Sequence, residues 1–212
     1  MQQLDGRMLG VAMLLSGLAG YVDAVGFLAS GGFFLSFMSG NSTRLGVGLV
    51  EGSATLAMGL IAAFVLGVAL ARIATGGIAP DGGRRPRVLL AGIALVLAAS
   101  IAGQQTGQPV GALLLVAGAM GAVNLVVERD GDVPFGLTYM TGALVRLGVT
   151  LADALHGRRP AAMLRPAMLW GSLIAGVTLG ATVARAIGFG ALAVPAAVLF
   201  ILALAMPRIR KA

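Results

Sequence analysis

Six stretches of this chain are apolar for long enough to cross a lipid bilayer, and together they take up most of its 212 residues. A crossing helix needs about 20 mainly apolar residues, with a working range of roughly 17–25. The segments 8–29, 53–75, 87–103, 109–127, 166–184 and 189–206 meet that condition. Charged residues make up only 11% of the chain, against about 25% in an ordinary soluble domain. So few charges cannot cover a water-facing surface. The same balance excludes a disordered chain and argues against a nucleic-acid module, whose basic residues need an aqueous face. The sequence therefore predicts an all-α polytopic membrane protein. Its first segment is not read as a signal peptide, because Asp23 interrupts the apolar run too late. Cysteine is absent and histidine occurs once. Disulfides, thiolate metal sites and histidine clusters are thereby removed, and no metal or cofactor is expected.

Two further stretches are apolar at both ends and polar between: FFLSFMSGNSTRLGVGLV at 33–50 and PFGLTYMTGALVRLGVTLADA at 134–154. Arginine placement decides whether they cross. Arg84, Arg85 and Arg87 form one basic region, Arg158, Arg159 and Arg165 a second, and Arg208, Arg210 and Lys211 a third, while the linker at 103–109 is uncharged. Basic loops face the cytoplasm. With eight crossings, the first two basic regions fall on opposite sides of the membrane. With six, all three share the cytoplasmic side with Arg7 and both termini. Six transmembrane helices plus two re-entrant or broken helices are therefore expected. The mixed-charge ERDGD at 128–132 then reads as a cytoplasmic turn.

The two ambiguous stretches also resemble one another. Met38, Gly40, Arg44, Leu45, Gly46 and Val47 recur as Met140, Gly142, Arg146, Leu147, Gly148 and Val149, always 102 positions later. Glu51 faces Asp153 in that alignment. The helix before each stretch matches at an offset of 101, which pairs Gly20 with Gly121 and Asp23 with Asn124. Each copy then reads as span, re-entrant segment, span, span: residues 1–104 and residues 105–212. Three crossings is an odd number, so the second copy enters upside down. Inverted-topology repeats of this kind build many transporters, with the solute near the midplane.

Backbone that is not helical at membrane depth must be buried in protein or line a polar cavity. Ser39, Gly40, Asn41, Ser42 and Thr43 form such a break. Ser, Thr and Asn favour helix N-caps, so a helix is expected to restart near Ser42 and run to Glu51, and its counterpart near Thr141 to run to Asp153. Both restarts would offer positive helix ends to an anion, reinforced by Arg44 and Arg146. An acid within a span is functional by default, so Asp23 is a candidate to pair with Arg44, hold a cation or carry a proton. The candidate solute-binding set is therefore Asp23, Asn41, Ser42, Thr43, Arg44, Asn124, Thr141 and Arg146, with no catalytic residue among them. Gly176 and Gly180 form a small-xxx-small step suited either to a homodimer or to packing within the chain.

The run GYVDAVGFLASGGFFLSFMSGNSTRLG at 20–46 resembles the signature of the YoaK family of small bacterial inner-membrane proteins. The resemblance extends over nearly the whole chain. It implies about six transmembrane helices and a bacterial inner membrane, and supplies no settled substrate. Family members often carry Gln-Asn before a basic turn in the second half. Here the stretch is Ala122-Val123-Asn124, so only Asn124 carries over. The expected function is a small transporter or channel-like permease for a polar, anionic solute. The alternatives are an integral enzyme acting on a lipid phosphate and a non-transporting scaffold whose basic loops hold lipid or a partner.

Overall fold

A computed structural model describes residues 6–78, 83–127, 140–157 and 164–205. Every regular element among them is helical: α1 (Gly6–Ser30), α2 (Met38–Glu51), α3 (Thr55–Thr75), α4 (Arg84–Gln105), α5 (Pro109–Val123), α6 (Met140–Leu155), α7 (Leu164–Ile187) and α8 (Ala193–Ala205). Short 3₁₀ turns follow α5 at Asn124–Val127 and α7 at Gly188–Leu192. Helices satisfy every backbone group within the segment, which a bilayer core demands. The ERDGD turn, the first part of 134–154, Arg158, Arg159 and the C-terminal basic cluster lie outside the described residues.

Five helical stretches are long and apolar enough to span, and the last of them runs 42 residues, from Leu164 to Ala205. At about 1.5 Å per residue that is twice the thickness of a hydrocarbon core. Gly188 divides it by adopting a left-handed φ of 61°, a conformation that costs a side-chain-bearing residue dearly. The chain then doubles back. Tyr21 lies against Gly180 of α7, yet its hydroxyl donates to the Ala191 carbonyl at 3.1 Å, beyond the turn. The stretch is therefore two helices, and the apolar segments expected at 166–184 and 189–206 are both present.

Glycines bring the helices together in two closely matched pairs. Along α1 and α7, Gly17 packs on the backbone of Ser172, Gly20 on Leu173 and Val177, and Gly176 on Gly17. Along α5 and α3, Gly118 packs on Ala63, Gly121 on Phe64 and Val68, and Gly67 on Gly118. The contacts correspond one for one. Moving α1 forward by 101 positions gives α5, and moving α3 forward by 109 gives α7. Within each pair the residue numbers rise together, so the partners run parallel. Gly176 and Gly180 thus face α1 of their own chain.

The remaining spans fill the space between these pairs. α4 packs on α5 and α8, and Leu90, Leu97, Val116, Leu192 and Leu199 are almost wholly withdrawn from the surface. The short helices sit to the side, α2 against α3 and α6 against α7. They do not form a packed pair with each other.

Candidate functional site

α1 ends where Gly31 and Gly32 take φ values of 73° and 109°, which reverses the chain. The following leg, residues 31–37, runs back down α1. Gly32 N–H donates to the Phe27 carbonyl at 2.8 Å, Leu35 packs on Gly26, and Leu35 and Ser36 reach Asp23. Asp23 lies seven residues before the end of α1, about 10 Å along the helix. α2 then starts and climbs back beside the leg, so that Asn41 meets Phe34 and Arg44 meets Gly32 and Phe33. α2 leaves on the side from which the leg came. α3 turns back from it at Gly52–Ala54, where Gly48 packs on Ser53 and Ala54. α3 therefore runs opposite to α1, and α5, parallel to α3, does so too.

Asp23 is 8% exposed. One carboxylate oxygen accepts from the Leu35 N–H at 2.7 Å and the Ser36 N–H at 2.6 Å. The other accepts from the Ser36 hydroxyl at 2.7 Å, and the Phe37 N–H adds a further backbone contact. These donors belong to the last residues before α2, whose N-cap is Phe37. Asp23 thus fastens the leg immediately before α2 and sits close to the positive end of its dipole, while the helix itself has no side-chain cap. This explains a departure from expectation. The helix starts at Met38 and not near Ser42, because Asp23 and Asn41 hold the backbone that leads into it. Ser42 lies inside the helix, with its hydroxyl donating to the Met38 carbonyl at 2.9 Å, and Thr43 likewise donates to Ser39 at 3.3 Å. Thr141 also falls within its helix, which begins at Met140.

Asn41 is fully buried and holds the leg from the other side. Its Oδ1 accepts from the Phe34 N–H at 3.0 Å and its Nδ2 donates to the Phe34 carbonyl at 2.7 Å. An amide can do both, and in doing so it satisfies backbone groups that the reversal leaves without helical partners. Arg44 does not pair with Asp23. Its guanidinium stacks 4.8 Å from the centroid of Phe33.

The eight expected residues therefore divide. Asp23, Asn41 and Arg44 converge on the leg, but as its fastenings. Ser42, Thr43, Thr141 and Arg146 are exposed on the outer short helices. Asn124 ends α5, and its Nδ2 donates to the Met120 and Gly121 carbonyls at 3.1 and 3.2 Å. The N-terminus of α2 already holds a carboxylate, and α2 and α6 do not pack together. Ser36 and Phe33 were missed in the sequence. Their signal lay in position alone, within reach of an acid thirteen residues earlier and an arginine eleven residues later. No group of three or more potential metal ligands occurs among the described residues.

An all-helical bundle of membrane-crossing length, with a backbone reversal fastened inside it, defines a polytopic membrane protein. The chain belongs to the family described as Protein of unknown function (DUF1275), which it matches over residues 11–205. It is also similar to UPF0700 transmembrane protein RA0705 of Rhizobium meliloti (strain 1021). The two are 38% identical over 187 residues, covering 88% of this chain and 80% of the relative. No solved structure matches it.

Proposed function

We propose that this is a small permease of the bacterial inner membrane, built from two inverted copies of a four-helix unit and moving a polar solute between them. The observation that carries the reading is the repeated glycine packing of α1 on α7 and of α5 on α3. Identical interfaces set in opposite directions give two bundles that can rock against one another, which is how inverted repeats alternate access. α2 is then a re-entrant helix and α6 its counterpart. Arg72, Arg84, Arg85 and Arg165 gather at the end where α1 begins, which supports cytoplasmic termini. The signature at 20–46 supports the narrower kinship with YoaK proteins. Within this reading Asp23 holds the hook and is not the solute contact. Arg44 and Arg146, at matching positions on α2 and α6, make small anions the first solutes to screen.

The test is flux into proteoliposomes across a panel of small inorganic anions and carboxylates. The expected result is uptake that Arg44→Gln and Arg146→Gln each reduce without unfolding the protein. Absence of uptake for every solute, with folded protein in the bilayer, overturns the reading.

One observation favours a second reading, a non-transporting scaffold. The centre between α4, α5 and α8 is filled by apolar side chains such as Leu90, Leu97, Val116 and Leu199. A permease must open that centre and a scaffold need not. Solvent accessibility of a cysteine placed at Leu97, measured in membranes, separates the two.

A further inference from the structure

α3 and α4 both pack on α5 but barely touch each other. The glycine contact of Gly67 with Gly118 draws α3 down on α5, while α4 leans on the opposite flank. Between them lies an open slot of about 930 Å³. Its walls are Leu66 and Leu70 on one side and Val88 and Val96 on the other, and Ala119 and Ala122 lie in its floor. A narrow trough with branched apolar walls and a floor of small residues fits flexible hydrocarbon chains.

One end of the slot differs in character. Thr75, the last residue of α3, lines it, and the buried Arg85 donates to the Thr75 hydroxyl at 3.3 Å. Arg84 is exposed at the start of α4, and Arg72 lies in the last turn of α3. An apolar trough with cationic side chains at one mouth is complementary to an amphiphile with an anionic head.

We propose that this slot is a binding site for an anionic phospholipid, with its acyl chains lying between α3 and α4 and its phosphate at Arg84, which is in helical register with Val88, Gly92 and Val96 of the slot. The arginines distinguish this occupant from a helix of a second copy. At that level a cation meets the phosphate of a lipid, whose headgroup lies where the helix ends reach the interface.

The experiment uses the full-length protein in detergent with equal amounts of phosphatidylglycerol and phosphatidylcholine, and counts retained lipid by native mass spectrometry. The expected result is preferential retention of phosphatidylglycerol. Arg84→Gln lowers that preference about fivefold, the usual contribution of one basic residue near anionic lipid. Gly92→Phe removes retention of both lipids. Gly92 lines the slot and a Cβ there meets nothing within 4 Å, so a side chain can leave the helix at this point, and an unchanged melting profile confirms that the variant folds. Equal retention of the two lipids overturns the proposal, as does wild-type retention by Gly92→Phe. A Gly92→Phe protein that turns from dimer to monomer with its lipid unchanged overturns it in favour of a second copy.

Discussion

Asp23 and Asn124 stand at matching places in the two halves, and what they do differs by a single chemical fact. A carboxylate can only accept hydrogen bonds, and the donors of its own helix are already used by the helix. It must reach outward, and it takes the Leu35 and Ser36 amides of the leg. An amide can also donate, and Asn124 turns its nitrogen back onto the carbonyls of Met120 and Gly121. The first-half residue fastens the hook, and the second-half residue bonds the last carbonyls of its own helix, which a carboxylate could not do. The glycine interfaces show the opposite behaviour. There the two halves keep the same three glycine contacts, because backbone-to-backbone approach tolerates no larger residue, and they part only at Gly180 on Tyr21, where the other pair carries Ala71 and Ala122. The two halves are thus held alike where packing is tightest and differ where a polar side chain has a choice of partner.

The largest expected effect tests the matched part of this comparison. A Cβ at Gly176 would overlap the Gly17 carbonyl, and one at Gly67 the Gly118 carbonyl. Gly176→Val and Gly67→Val should each destabilise by about 3 kcal/mol or more, as overpacking against backbone does. Thermal unfolding in detergent checks this. Strongly unequal losses would break the equivalence of the two interfaces.

The next effect tests the unmatched part. Asp23→Ala leaves two buried backbone donors and a hydroxyl without their acceptor and should cost about 3 kcal/mol. Asp23→Asn keeps the oxygen that receives both amides and should cost roughly 1 kcal/mol. Hydrogen exchange at Leu35 and Ser36 should accelerate strongly in the first variant and little in the second. Equal acceleration in both would mean that the charge, and not the acceptor, fastens the leg. The smallest effect is at the mouth of the hook. Phe33→Leu removes the ring under Arg44 and should cost about 0.5–1 kcal/mol, visible as faster exchange at Gly32 with little change in global stability.

The spans were legible from hydropathy, because a bilayer forces apolar runs of fixed length to become helices. The likeness between the two halves was legible in their first helices, where the offset of 101 holds Gly17 and Gly20 to Gly118 and Gly121. It was hidden in the third helices, where intervening loops shift the offset to 109 and only the packing of Gly67 and Gly176 shows the match. The start of α2 was misplaced because Ser42 and Thr43 have the right chemistry for a local cap. Local capping is worth only about 1 kcal/mol, and a carboxylate delivered from α1 with three donors waiting outweighs it. That pairing spans thirteen residues and follows no helical or strand period, so no pattern along the chain announces it.

The order of synthesis gives the grip of Asp23 on the leg a meaning of its own. A ribosome releases α1 before residues 35–37, so the acceptor is already in position when the groups that need it emerge. The polar reversal can then be taken up against a finished helix and need not wait for the rest of the bundle.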